Sequence, residues 1–318
     1  HVYSDGSVHL NHGGTEMGQG LNTKVAQIVA HEFQIDFEAV KITATNTGKV
    51  PNSSATAASS GTDLNGMAAQ AAARTIKSRM RDFLAEQHQC MPDSVTFANG
   101  MVRAGAAQMN FAEAVKACYH GRVSLSATGF YATPKIHWDK ARSRGRPFYY
   151  YAYGAAVTEV ATDLLTGENR ILRTDILHDV GRSLNPAIDI GQIEGGFVQG
   201  AGWLTTEELV WDDAGRLRTH APSTYKIPAC ADRPPVFNVA LFADGENIED
   251  TIHKSKAVGE PPLMLAISVL MALSHALESV GDDYPMLDAP ATPERVCLAA
   301  RRLGGPGIAL AGITRGDR

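Results

Sequence analysis

The sequence predicts an α+β fold of two elongated subdomains, each combining mixed β-sheet with packed helices. Three observations carry this. A strand, a glycine-rich loop and an amphipathic helix follow one another within residues 8–34. Two strand-like runs, 149–160 and 170–177, lie far downstream and are followed by apolar helical stretches. Between these regions, Pro134 to Pro147 is polar and basic, with Lys135, Lys140, Arg142, Arg144 and Arg146, and reads as a connection. The expected division is residues 1–135 and 136–318, in keeping with the length prior of about two domains for such a chain.

In order, Val2-Tyr3-Ser4 and Ser7-Val8-His9-Leu10 flank Asp5-Gly6, a type I′ hairpin signal. The chain opens on His1 and at once enters an apolar-alternating run, so a piece of a longer protein is expected. Next comes Asn11-His-Gly-Gly-Thr-Glu-Met-Gly-Gln-Gly20; Leu21, Val25, Ile28 and Val29 then repeat at helical spacing over 21–34. A glycine-rich loop entering a helix aims backbone N–H groups at an anion. The spacing is neither G-x-G-x-x-G nor a P-loop, because Gly18-Gln19-Gly20 stands where Gly-Lys-Ser/Thr is needed. A glycine turn without ligand stays open as the alternative.

Lys41 to Thr45 reads as a strand. The run Pro51-Asn-Ser-Ser-Ala-Thr-Ala-Ala-Ser-Ser-Gly-Thr62 is small and hydroxyl-rich, which suits a linker or a second anion cradle. A helix is predicted over 64–88 with Leu64, Met67, Ala68, Ala71 and Phe83 on one face. A hairpin through Asn99-Gly100 and a capped helix over 111–119, with Asn110 three residues before Glu113, come next. The tyrosines of 149–153 suit a strand face. Pro186 to Leu209 is a glycine-rich helix, which close packing on another backbone or a cofactor would explain. Trp211 to Leu217 is a hairpin, Val236 to Phe242 a strand, and the tail after Arg301 a loose segment.

Lys256-Ala-Val-Gly-Glu260-Pro-Pro-Leu-Met264 is the most singular stretch. The residue before a proline avoids the helical region, so Glu260 is expected to be extended. Pro261 and Pro262 suit a helix start, and Leu263 to Leu277 reads as one buried helix. Gly259 admits a close neighbour, a backbone or a ligand. Glu260 is thus an acid on a stiff corner, serving either the helix dipole or catalysis as a general base.

The net charge of −5 gives no electrostatic case for nucleic acid. The apolar run 263–273 is about half of a membrane span. Cys90, Cys118, Cys230 and Cys297 form no C-x-x-C, which signals neither a zinc nor an Fe–S site and suits reduced thiols in a cytoplasmic protein. His31-Glu32 fails as a metal motif at Ile35, and no G-x-S-x-G occurs. His9 and His12 read as surface or satisfied histidines.

Taken together, Gly13 to Lys24, Pro51 to Ser59 and Ala257 to Leu263 resemble the xanthine dehydrogenase/aldehyde oxidase family of molybdenum hydroxylases. Gly191-Gln-Ile-Glu-Gly195 and Pro222-Ser-Thr-Tyr-Lys-Ile-Pro228 match in the same order, so the likeness runs from about residue 2 to about 298. Within the family the chain looks most like the C-terminal part of the bacterial xanthine dehydrogenase molybdenum subunit. The resemblance implies the molybdopterin-binding fold of that type and a molybdenum–molybdopterin cofactor. Met17 and Gln19, with Gly18 and Gly20, match the loop that contacts the pterin. Ala57 and Ala58 match positions beside the metal, and Ser59 and Ser60 those that hydrogen-bond the pterin or its phosphate end. At Gly61 the eukaryotic enzymes carry serine, so only a backbone contact is implied there. Gln192 matches a further cofactor contact, Gly259 lies beside the site, and Glu260 matches the general base. No side chain matches a direct metal ligand.

The implied reaction is base-assisted hydroxylation of hypoxanthine and xanthine to urate with oxygen from water. Electrons would leave through 2Fe-2S clusters and FAD to NAD+ on partner chains or upstream domains. The expected partners are the upstream half of the molybdenum subunit and an Fe-S/FAD subunit, in a hetero-oligomer, with no nucleic acid and no membrane. Because the family's purine-orienting residues lie upstream of His1, the segment alone is expected to be inactive. Glycine loops and Glu260 are expected to converge on one site. An aldehyde or another N-heterocycle as substrate, and a non-catalytic scaffold, are the competing readings.

Overall fold

The computed structural model describes residues 1–50 and 53–305. Pro51 and Asn52 of the small-residue run, and most of the tail after Arg301, lie outside the described residues. The chain divides into two compact units. One comprises His1–Tyr151, Gly181–Ile188 and Asp244–Ala257; the other comprises Ala152–Val180, Asp189–Ala243 and Val258–Arg318.

In the first unit, β1 (Val8–Leu10), α1 (Leu21–Phe33) and β2 (Val40–Ile42) form a crossover, with β1 and β2 parallel from Val8↔Val40 to Leu10↔Ile42. The expected hairpin before β1 is reduced to a bridge between Val2 and Val8 around the Asp5-Gly6 turn. Helix α1 buries Leu21, Val25, Ile28 and Val29, the residues its periodicity selects, together with Phe33. Helix α2 (Gly61–Gln87) begins three residues earlier than expected. Its buried stripe is Gly66, Ala69, Ala73, Ile76, Met80 and Leu84, whereas Leu64, Met67, Ala68, Ala71 and Phe83 are half-buried. Small residues cause the shift, because they let neighbours approach on more than one side. A Cβ at Gly66 would lie 2.7 Å from Ile28, and one at Gly129 would strike the Ala68 carbonyl.

Strands β3 (Thr96–Ala98), β4 (Met101–Ala104) and β5 (Ala107–Asn110) form an antiparallel meander. Asn99 and Gly100, both with positive φ, make the predicted turn. The β4–β5 turn at Gly105-Ala106 carries no polar punctuation, so β5 was not legible in sequence. Asn110 and Glu113 form the expected capping box at the start of α3 (Phe111–His120). The basic connection holds a short hairpin, β6 (His137–Asp139) with β7 (Arg144–Arg146). Val25, Phe33, Met80, Leu84, Val95, Val102 and Val115 belong to this unit's core.

The second unit carries a mixed sheet of β8 (Tyr153–Thr162), β9 (Asn169–Asp179) and β10 (Val236–Leu241), in the order β10–β9–β8. β8 pairs antiparallel with β9, and β10 runs parallel to β9 on its other edge. The first of these strands starts at Tyr153, not Tyr149, because Tyr149 and Tyr150 turn aside to hydrogen-bond within the first unit. Helix α4 (Pro186–Thr205) is the predicted glycine-rich helix. The Trp211–Leu217 hairpin is a single bridge.

The stretch predicted as one helix is two, α5 (Pro261–Leu265) and α6 (Ile267–Glu278), broken at Ala266 (φ −68°, ψ −10°). Together Pro261–Glu278 is long and apolar enough to cross a membrane by length and composition, beyond the 263–273 run. In this fold Val269, Leu273 and Leu277 are in the core with Phe197 and Ile176. Helix α7 (Pro293–Arg302), capped by Thr292, has no counterpart among the elements expected from sequence.

Candidate cofactor site

The candidate residues fall into two groups, one in each unit. In the first unit the glycine loop and the small-residue loop are tied directly: the Thr15 N–H donates to the Thr56 hydroxyl at 2.8 Å. A Cβ at Gly61 would sit 3.3 Å from Leu21, so α2 starts against the start of α1. Met17–Gly20 and Ala57–Gly61 are thereby neighbours in the fold.

The anion at the head of α1 is the chain's own. Glu16 accepts from the N–H groups of Gly18 (2.9 Å), Gly20 (3.0 Å) and Asn22 (2.9 Å). Partial burial pushes its carboxyl up, but these backbone donors outweigh that and leave it below the usual glutamate range. The expectation that these N–H groups await an external phosphate meets Glu16 already in place. The Gln19 amide also turns inward, accepting from the Met17 N–H at 2.6 Å and donating to the Thr15 carbonyl at 2.9 Å. Beneath the loop, buried His12 accepts from the Gly14 N–H at Nδ1 (3.1 Å). Its Nε2 is therefore the protonated nitrogen and donates to Asn22 Oδ1 at 2.8 Å. Desolvation holds the imidazole neutral by lowering its pKa, so His12 is a satisfied histidine, as expected.

The outer surface of this pair of loops is open. Met17 is 67% exposed, and no atom lies within 4 Å of where a Cβ on Gly18 (φ +102°) would stand. Ala57 and Ala58 are exposed, Ser59 and Ser60 half-buried. Ala58 holds φ 56°, a left-handed conformation that costs a non-glycine residue on the order of 1 kcal/mol. Strain of this kind concentrates at functional loops. A flat group able to lie on exposed backbone and small side chains fits here. Among the described residues, no three His, Cys, Asp or Glu side chains group as a metal site.

In the second unit Glu260 and Gly259 are exposed. Glu260 is not extended: its φ of −99° and ψ of −33° are helical. Its carbonyl accepts from the Leu263 N–H at 3.0 Å, and that turn offsets the pre-proline crowding. The corner docks on α4 through glycine. A Cβ on Gly196 would lie 3.1 Å from Pro262, and one on Gly200 would strike the Leu263 carbonyl and come within 2.7 Å of the Ala266 Cβ. Close packing against another backbone is thus what the glycine-rich helix is for. Half-buried Gln192 stands one turn before Gly196 on the same helix face, on the side that receives the Glu260 corner.

Three polar residues, Glu16, Asp63 and Tyr150, are given no role by the sequence motifs. Tyr150 donates to Asp63 Oδ2 at 2.5 Å and accepts from the Ala257 N–H at 2.9 Å. Burial pushes the Asp63 carboxyl up to about 6, against the pull of Tyr150 and the charge of Lys24. Asp63 and Glu16 each had a weak signal, an acid at a helix start; Tyr150 had none.

Residues 1–234 match the family model described as the molybdopterin cofactor-binding domain. The chain is 45% identical over 301 residues to xanthine dehydrogenase/oxidase of Gallus gallus, and 46% over 304 residues to that of Mus musculus. Each alignment covers 93% of this chain and 21% of the relative, so the chain spans about a fifth of their length. Its fold is similar to that of quinoline 2-oxidoreductase from Pseudomonas putida 86, with a TM-score of 0.81 at 24% identity, over 95% of this chain and 38% of that one.

Proposed function

Because the chain belongs to the molybdopterin cofactor-binding family of the molybdenum hydroxylases, we propose that it is the part of a xanthine dehydrogenase that supplies the catalytic base and one portion of the cofactor's bed. The observation that carries this is the Glu260 corner: an exposed acid whose backbone stands between Gly259 and Pro261-Pro262, in a turn that docks on the glycine face of α4 through Pro262 and Leu263. A rigid corner keeps the point from which the carboxylate reaches in one place from turnover to turnover.

In the first unit the bed is the exposed outer face of Met17–Gly20 together with Ala57–Gly61; in the second, Gln192 offers an amide on the face of α4 that receives the Glu260 corner. When bound, the molybdenum cofactor supplies the two-electron redox chemistry. Glu260 takes the proton from a water-derived hydroxyl as its oxygen attacks an electron-poor ring carbon next to nitrogen; the C–H bond of that carbon breaks, and the bound cofactor would accept its hydrogen with both electrons. Hypoxanthine and xanthine are the substrates and urate the product. The electrons leave through 2Fe-2S and FAD to NAD+, carried by other parts of a cytoplasmic complex. The upstream half of the molybdenum subunit orients the purine, so this segment alone is inactive.

The test is Glu260→Ala in the complete enzyme. Molybdenum and pterin content stay at the wild-type level while urate formation falls by about 10² or more. Near-normal turnover at full molybdenum loading rejects the role. Conversion of an aldehyde but not of xanthine by the wild-type enzyme moves the substrate assignment while leaving the base in place.

A further inference from the structure

We infer that Tyr150, anchored by Asp63, is a positioning residue for the catalytic base: its hydroxyl ties the start of α2 to the backbone of Ala257, three residues before Glu260. The inference rests on the base role proposed above for Glu260.

One phenol hydroxyl uses both of its capacities here, donating to a carboxylate at 2.5 Å and accepting a backbone N–H at 2.9 Å. Its anchor stands where the candidate loops end. Asp63 is in the first turn of α2, two residues past Gly61. Lys24, buried in α1 four residues past Gly20, favours the charged form of Asp63 and so strengthens it as an acceptor. The segment that leads to the base is stapled earlier as well. Asn247 Nδ2 and the Thr251 hydroxyl both donate to the Ser255 carbonyl, at 3.1 and 2.7 Å. The Tyr149 hydroxyl accepts from the Asp250 N–H at 3.2 Å. Tyr150 holds Ala257, beyond these staples and nearer to Glu260 in sequence. Removing it leaves the earlier staples intact and loosens the part of the segment that enters the corner. Loss of one hydroxyl should therefore act on orientation of the base and not on the presence of the fold or the cofactor.

The experiment is Tyr150→Phe in the complete enzyme, assayed on xanthine beside Glu260→Ala. The expected result is kcat down about tenfold or more, because small misplacements of a catalytic group are costly. KM stays within about twofold, and molybdenum content is unchanged. Hydrogen exchange at the Ala257 amide rises about tenfold, the equivalent of one lost hydrogen bond. Asp63→Asn retains an acceptor for the Tyr150 hydroxyl and should keep most of kcat, whereas Asp63→Ala should behave like Tyr150→Phe. If Tyr150→Phe is insoluble, the two Asp63 variants decide: equal kcat in both overturns the inference. Wild-type kcat in Tyr150→Phe overturns it too, as does molybdenum loss in step with kcat. An inactive Glu260→Ala beside a normal Tyr150→Phe removes the positioning role alone. An active Glu260→Ala removes the base itself.

Discussion

The glycine loop before α1 and the glycine-rich helix α4 look alike in composition and use glycine in opposite ways. In the loop the working groups are backbone N–H donors, three of which converge on the Glu16 carboxylate. In α4 the working feature is a missing side chain, which lets Pro262, Leu263 and Ala266 lie against Gly196 and Gly200. The first arrangement is electrostatic and answers to charge; the second is steric and answers to volume. Glycine density in a sequence thus points to a close approach without saying which kind.

Variants in each region should fail in these different ways. The largest effect belongs to Gly200→Val. Its side chain would be driven into the Leu263 backbone and the Ala266 methyl, and overpacking against backbone cannot relax through a flexible neighbour. A loss of about 3 kcal/mol or more is expected, seen as a collapse of soluble yield or a fall in Tm, equally at pH 5 and pH 8. Next comes Glu16→Ala, which strips an acceptor from three N–H groups. About 2 kcal/mol of local stability should be lost, with earlier proteolysis within 11–22 and lower molybdenum retention. Its pH dependence has a definite sign. A carboxyl whose folded pKa lies below its unfolded 4.5 stabilises above that value and loses its contribution as pH falls through the folded one. The gap between Glu16→Ala and wild type should therefore narrow below pH 4.5. A constant gap would mean that Glu16 acts through packing, and the contrast between the regions would fail.

The same contrast explains what was legible in the sequence. Local signals survived folding: the periodicity of α1, the Asn110/Glu113 capping box, the Asn99-Gly100 turn and β10. Signals that depended on distant partners did not. The buried face of α2 was misplaced because Gly129 and Ile28 approach from different sides. Tyr149 and Tyr150 read as strand, yet their hydroxyls serve Asp250, Asp63 and Ala257, all far away in sequence. The bend at Ala266 follows from its fit to Gly200, which no pattern within 263–277 records. At the candidate site, the motifs located the loops and the corner. That Glu16 fills the N–H cluster and that Gln19 turns inward are facts of geometry.

Asp63→Asn tests the electrostatic side more gently. The folded Asp63 carboxyl titrates at about 6, above its ordinary 3.8, so between these values the folded state binds more proton than the unfolded one. Stability contributed by this group therefore falls as pH rises from about 4 to 6, and the charged form costs on the order of 3 kcal/mol at pH 7. Asparagine abolishes that slope. The Tm of Asp63→Asn minus that of wild type should increase across the window and then level off above it, while Gly200→Ala shows no such trend. A flat difference across pH 4–7 would place the titration of Asp63 elsewhere.

The smallest effect isolates the helix glycines that no neighbour requires. A Cβ on Gly191 or Gly195 meets nothing within 4 Å, and both positions are in the body of α4. On conformational entropy alone, alanine should stabilise the helix at each by about 0.5–1 kcal/mol, since glycine holds more freedom to lose on folding. Gly200, whose Cβ would meet the Leu263 carbonyl at 2.4 Å, should respond with the opposite sign to the same substitution. If Gly191→Ala raises Tm and leaves turnover intact, the glycines of α4 separate into those set by Pro262, Leu263 and Ala266 and those set by nothing in this chain. If Gly191→Ala instead lowers molybdenum content or turnover with Tm raised, the open side of α4 beside Gln192 is a surface against which something outside this chain must close.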